Sequence, residues 1–169
     1  LIGGRAIINS INLEDGEHKC DSLCPLAKKH AAAVIALTID EIGMAKTAER
    51  KLEIAERLYD IAVNRHGLRP SDILFDPLTF TICTGNEDDR KLALWTLDGI
   101  EAIARRFPEC GILLGLSNVS FGLKPHARHV LNSVMLYHAR QRGLTAAIVH
   151  ATKILPLHRI PEEQVQVAE

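Results

Sequence analysis

Long apolar runs, a dominant charge and a leader segment are all missing from this sequence. No run of apolar residues approaches the ~20 that a transmembrane helix needs, and no signal peptide is visible. The 20 basic and 21 acidic residues are interspersed and leave a net charge of −1. Such a balance provides no basic surface for nucleic acid or an anionic membrane. We therefore expect a cytoplasmic protein whose partners include neither nucleic acid nor a membrane.

Motifs that hold metals or nucleotides are missing too. The four cysteines form no Cys-x-x-Cys pair, and the nearest two, Cys20 and Cys24, need two more ligands to bind zinc. The eight histidines include no His-Glu-x-x-His motif. No dinucleotide-binding fingerprint or P-loop follows a predicted strand, which disfavours nucleotide binding. The prediction is therefore reduced thiols in a reducing cytoplasm and no metal site.

Short apolar runs alternate with helical patterns along the chain. At 169 residues the sequence predicts one domain or a piece of one, over residues 1–169, with no second domain. Continuous apolar runs are typical of parallel strands buried on both faces. Amphipathic helices separate them at a repeat of about 30–40 residues, as in βαβ units. The predicted strands are Ala6–Ile11, Val34–Ile39, Ile73–Phe75, Ile112–Leu116 and Thr145–Val149.

Two α/β architectures suit this order, a doubly wound sheet and part of a (β/α)8 barrel. In both, function gathers at the carboxyl ends of the strands. Cations are scarce at those ends, which disfavours a phosphate as the main ligand. The ends instead carry neutral amides and carboxylates, among them Asn9, Asp40, Asp76 and Asn118.

These polar groups have a binding interpretation and a plainer one. A carboxylate can accept both N–H groups of a 2-amino-4-oxopyrimidine edge, while an amide both donates and accepts. Taken singly, Asn9 and Asn118 are better read as caps, and Asp76, which precedes a proline, as a turn former. Recurrence at successive strand ends favours a site for a neutral heterocycle.

Five segments carry a family resemblance, and the run Ser-Asn-Val-Ser-Phe-Gly-Leu at 117–123 is fairly specific. The segments resemble the pterin-binding domain of cobalamin-dependent methionine synthase over essentially the whole chain. The resemblance implies a partial (β/α)8 TIM barrel of the dihydropteroate synthase-like type, with about five βα units. These units correspond to strands 4 to 8 of the barrel. The segments are residues 7–11, 36–41, 75–77, 115–123 and 147–156.

The same resemblance implies an activity. The parent enzyme binds 5-methyltetrahydrofolate and passes its N5 methyl group to Co(I) cobalamin. Cobalamin-binding and homocysteine-binding domains of that enzyme lie outside this chain, so the fragment alone is expected to bind no cofactor. Asn118 is the candidate that assists departure of N5.

The resemblance also implies a set of substrate-binding residues. Asp76 and Asn9 are expected to grip the pterin, and Gly115 and Ser117 to shape the floor beneath it. The remaining candidates are Asp40 at the second strand end and Arg128 beside the folate tail.

Several alternatives stay open from sequence. One is a corrinoid protein methyltransferase of another pathway, and another is a dihydropteroate synthase-like enzyme. The chain lacks the cations that a dihydropteroate synthase needs for its pyrophosphate substrate. A third is an inactive structural fragment without the first three strands, whose open barrel edges favour self-association. The last is a Schiff-base aldolase through Lys153, although such lysines usually lie within a strand.

Overall fold

Five parallel strands form the centre of the protein. The computed structural model describes residues 3–169, the side chains of residues 87 and 88 excepted. The strands of the described part are β1 (Ile7–Ile11), β2 (Ala33–Leu37), β3 (Ile39–Asp40), β4 (Gly43–Met44), β5 (Ile73–Asp76), β6 (Gly111–Gly115) and β7 (Ala146–Ile148). The main sheet has the order β1-β2-β5-β6-β7, and every neighbouring pair is parallel. All five predicted strands are therefore present, with ends that differ by one or two residues.

One predicted strand ends earlier than expected. The apolar run from Val34 was predicted to continue to Ile39, but β2 stops at Leu37. Residues 39–44 instead form a separate antiparallel hairpin, β3–β4. Gly43 lies in this hairpin at φ +125, a conformation open to glycine. The hairpin stands above the carboxyl end of β2 and contributes to the site described below.

Five α-helices follow or connect the strands. Thr47 caps α2 by accepting a hydrogen bond from the Arg50 backbone N–H at 3.3 Å, and Pro125 occupies the first turn of α4. The helix α2 continues into a π-helical segment that ends before Gly67, at φ +69. The helices are α1 (His18–Lys29), α2 (Ala48–Tyr59), α3 (Lys91–Arg106), α4 (Pro125–Gln141) and α5 (Glu162–Ala168).

The two faces of the sheet differ in burial. Val34, Phe75 and Leu114 on one face are fully buried and belong to one hydrophobic cluster with the helices. On the other face, Ile35 and Leu113 of the inner strands are buried as well, but Ile7 and Ile148 at the two edges are 54% and 55% exposed. A doubly wound sheet carries helices on both faces and reverses its strand order. The sequential order and the one-sided helix layer are consistent with part of a barrel.

No helix within residues 3–169 is both long enough and apolar enough to cross a membrane.

Candidate functional site

A cleft of about 390 Å³ opens at the carboxyl ends of β5 and β6. Four chain segments build it: the β3–β4 hairpin, the loop after β5, the end of β6 and the 3₁₀ turn Leu116–Ser120 that follows β6. Carboxyl ends of parallel strands are where α/β proteins place ligands. The lining residues are Met44, Asp76, Leu78, Thr79, Phe80, Thr81, Gly115, Asn118 and Phe121.

Asp76 is the carboxylate of this cleft. It is the last residue of β5 and is only 9% exposed. Its Oδ1 accepts a hydrogen bond from the Leu78 backbone N–H at 2.8 Å, and no other donor to this carboxylate is found among the described residues. Burial raises the pKa of Asp76 to about 6. The group is thus ionised at neutral pH but poorly solvated, so it is suited to accept further N–H donors.

The hydrogen bond to Leu78 also shapes the loop. An aspartate whose side chain accepts from the backbone N–H two residues on forms an Asx turn, as the interpretation of Asp76 as a turn former expects. Leu78 has φ +63, an uncommon conformation for a residue with a side chain. Thr96 on α3 secures it by donating from its hydroxyl to the Leu78 carbonyl at 3.1 Å.

Asn118 lies across the cleft in the 3₁₀ turn Leu116–Ser120. Its carbonyl oxygen accepts from the Thr81 hydroxyl at 3.0 Å and from the Phe121 N–H at 3.2 Å. Its side-chain amide is exposed and makes no hydrogen bond to another described residue. The backbone is therefore held while the amide is available to a ligand.

Arg128 holds the turn that carries Asn118. Its guanidinium, on α4, donates to the Ser117 carbonyl and to the Ser120 hydroxyl, both at 3.1 Å. Ser117 takes part through its backbone, and its side chain points to solvent. Arg128 therefore contacts the turn, Ser117 is part of it, and neither lines the cleft.

Apolar groups form the remaining walls. Phe80 lies beyond Asp76 in the loop after β5, and Phe121 and Met44 are exposed at the opening. Gly115 lines the floor of the cleft without a side chain. A Cβ added at Gly115 would lie 3.6 Å from the Asn118 Nδ2. Exposed apolar side chains around a buried carboxylate favour a flat ring with polar edges.

Two further predicted site residues, Asn9 and Asp40, lie away from the cleft. Asn9 is exposed on β1, on the same face of the sheet as Asp76, because Asn9 is in register with Ile35 and Ile35 with Leu74. Asp40 is buried instead in ion pairs with Arg50 and Arg57 of α2. These pairs fasten the β3–β4 hairpin to α2, and the carboxylate is directed away from a ligand.

Sequence reasoning missed Lys51, which lies directly behind the cleft. Its side chain is fully buried, and its Nζ donates to the Ala45 carbonyl at 2.8 Å and to the Pro77 carbonyl. The available signal was helical spacing, because position 51 lies three and seven residues before Ile54 and Leu58 on the buried side of α2. A lysine on such an apolar stripe indicates a buried cation.

Two further hypotheses from sequence concern a metal site and a Schiff base on Lys153. No group of three or more potential metal ligands comes together among the side chains that the structure describes. Lys153 is exposed in a 3₁₀ turn after β7 and does not line the cleft.

A buried carboxylate and an exposed amide thus share one cleft at the strand ends of a parallel sheet. The chain belongs to the pterin-binding enzyme family, whose model matches residues 1–150.

Two similar proteins are named methionine synthase. One is from Mycobacterium leprae (strain TN) and the other from Mycobacterium tuberculosis (strain ATCC 25618 / H37Rv), and each is 52% identical over 170 residues. The match covers 99% of this chain but 14% of each relative. The family resemblance predicted from sequence is confirmed, and this chain spans a small part of the length of those relatives.

Proposed function

We propose that this chain is the folate-binding part of a methionine synthase, and that residues 1–169 form the C-terminal part of its pterin-binding barrel. On this proposal β1, β2, β5, β6 and β7 are the fourth to eighth strands of a (β/α)8 barrel. The observation that carries the proposal is the pairing of buried Asp76 with the free amide of Asn118 in one cleft. The family match and the methionine synthase relatives support it.

The pterin edge matches the cleft chemically. Its ring N–H and its 2-amino group are adjacent donors, and the Asp76 carboxylate retains acceptor positions beside its bond to Leu78. Phe80 and Phe121 offer apolar surfaces for the ring. Asn9 lies on the same face of the sheet, two strands away. In the complete barrel it adds a further hydrogen-bonding group to the pterin pocket. On its own the chain provides one side of the pocket, and we expect it to be inactive.

Asn118 has the chemical role in this proposal. When the N5–methyl bond breaks, the methyl group leaves without the bonding electron pair, which stays on N5. Tetrahydrofolate is a poor leaving group unless N5 gains a proton or a stronger hydrogen bond as the pair develops. A neutral amide can strengthen its bond in the transition state. The methyl acceptor, Co(I) cobalamin, is a substrate carried by another domain of the parent enzyme.

The proposal is tested by Asp76→Ala in the full-length protein. Loss of the carboxylate removes charge-assisted hydrogen bonds of about 1.5–3 kcal/mol each, so the Kd for 5-methyltetrahydrofolate should rise at least about tenfold. Asp76→Asn should recover little. An asparagine faces the two ligand donors with one acceptor oxygen and one NH₂ group, so it can accept from only one of them in this arrangement.

Isothermal titration calorimetry measures this directly. Asp98→Ala, an exposed aspartate on α3, is the matched control and should bind as the wild type does. Wild-type affinity in either Asp76 variant would remove Asp76 from the site, and no binding by the wild-type protein would overturn the proposed function.

A further inference from the structure

We propose that Lys51 is a positioning residue of the pterin site: its buried ammonium group joins the segments that form the cleft and provides the counter-charge of Asp76. The inference rests on the proposed function, since it assigns a task to a group behind the same cleft.

Lys51 connects separate parts of the cleft through its Nζ. One acceptor is the carbonyl of Ala45, which follows Met44 of the lining. The other is the carbonyl of Pro77, which follows Asp76. The same Nζ lies 5.0 Å from the centre of the Phe80 ring, a cation–π distance. One ammonium group thus contacts the hairpin, the loop after β5 and an aromatic wall.

The fold provides dedicated room for this side chain. A Cβ at Gly99 of α3 would lie 2.6 Å from the Lys51 Cδ, so the α2–α3 contact depends on glycine there. An apolar residue would pack between two helices without the desolvation cost of an ammonium group. The described partners of the Lys51 Nζ are two carbonyls and a ring, and no carboxylate is among them. A buried cation without an anionic partner in direct contact points to a role beyond packing.

The charges of Lys51 and Asp76 act on one another. Burial raises the pKa of Asp76 to about 6, and the Lys51 charge opposes that rise. Burial lowers the pKa of Lys51 to about 7, and the Asp76 charge opposes that fall. The other groups around Lys51 are uncharged: two carbonyls, the Phe80 ring and Gly99. Removing the lysine charge therefore favours protonation of Asp76, and a protonated carboxyl cannot accept from two donors at once.

The test uses Lys51→Met and Lys51→Gln in the full-length protein, with the Kd of 5-methyltetrahydrofolate measured by calorimetry from pH 5.5 to 8.5. In the wild type, affinity should rise with pH as Asp76 ionises through about pH 6. Both variants should shift that midpoint upward by about one pH unit, which weakens binding about fivefold at pH 6 and about twofold at pH 7. Protonation of the ligand is common to all proteins compared, so the difference belongs to the protein.

The controls separate this role from simple packing. Lys46→Met, at an exposed lysine just before α2, should leave the pH profile unchanged. A packing role predicts an equal loss at every pH in Lys51→Met and recovery in Lys51→Gln, which keeps a donor. Either that pattern or a wild-type profile in both variants would overturn the inference. Should Lys51→Met fail to fold by circular dichroism, the glutamine variant decides.

If the wild type binds and the Lys51 profiles do not shift, only this inference fails. If the wild type does not bind, the proposed function fails and the inference falls with it.

Discussion

At the scale of single residues, the buried carboxylate of Asp76 lowers the stability of the folded state at neutral pH. Its pKa rises on folding from 3.8 to about 6. Such a group stabilises the folded state below about pH 4 and loses that contribution as the pH rises through about 6. At neutral pH the ionised carboxylate is therefore unfavourable to the fold, and the bond from the Leu78 N–H offsets only part of the burial. A buried acceptor of this kind is available to bind N–H donors.

A variant of Asn118 can distinguish an effect on folate binding from an effect on the methyl-transfer rate. Its backbone is held by Thr81 and its amide is free, so Asn118→Ala should leave the turn intact. If the amide acts mainly on departing N5, the variant should lower the saturated methyl-transfer rate about 10²–10³-fold and weaken folate binding much less. Stopped-flow spectra of Co(I) decay at saturating 5-methyltetrahydrofolate in the full-length protein measure that rate.

The matched control is Asn64→Ala, which removes an exposed amide bonded to Asp60 within its own helical segment. A saturated rate equal to the wild type in Asn118→Ala would reduce Asn118 to a binding or capping residue. Activation of N5 would then need another group.

At the scale of elements, three arginines fix segments beside the cleft. Arg50 and Arg57 of α2 hold Asp40, so that strand end stabilises a hairpin. Arg128 of α4 holds the turn Leu116–Ser120 through two bonds. Side chains predicted to touch substrate can therefore serve it indirectly, by fixing the segments that do.

Arg128→Met tests this indirect role. Loss of both bonds should loosen the turn and reduce binding of 5-methyltetrahydrofolate about tenfold, the effect of one to two ordinary hydrogen bonds. A 5-methyltetrahydropterin without the aminobenzoyl-glutamate tail should lose affinity by the same factor. Calorimetry with both ligands makes the comparison, and Arg140→Met, an exposed arginine on the same helix, is the control. A loss confined to the tailed ligand would instead assign Arg128 to the folate tail.

At the scale of the whole molecule, the sheet ends at two edge strands, beyond which no further strand pairs among residues 3–169. β1 and β7 are its outermost strands, and each exposes an apolar residue, Ile7 and Ile148, on the face without helices. Open edges and exposed apolar surface recruit further strands or chains. In a complete barrel the first three strands would cover this face.

We therefore expect the isolated chain to self-associate as its concentration rises. Sedimentation velocity over a wide concentration range should show oligomers, and the double variant Ile7→Lys, Ile148→Lys should reduce them. Ile42→Lys is the control, because Ile42 is also an isoleucine and is even more exposed, at 85%, but lies in the hairpin, away from the edge strands. A clean monomer at high concentration would contradict the expectation.

The sequence by itself determined the repeating βα order, the positions of the five strands and the polar character of their ends. These properties depend on local patterns of apolar residues and turns, which are read within a few residues. The runs 75–77 and 115–123 also carried the family, now confirmed by its model. Asp76, Asn118 and Gly115 could be predicted together because parallel strands end at one edge of the sheet.

Only the tertiary structure decided which of these polar groups meet. Asp40 forms an ion pair with Arg50 of α2, and Arg128 donates to the turn after β6. Lys51, on the apolar stripe of α2, lies behind Asp76 and donates to the Pro77 carbonyl. Each outcome depends on contacts between residues ten or more positions apart and on the cost of burying a charge without partners. Local patterns record which groups are available, whereas burial and long-range packing select the partner that each one finds.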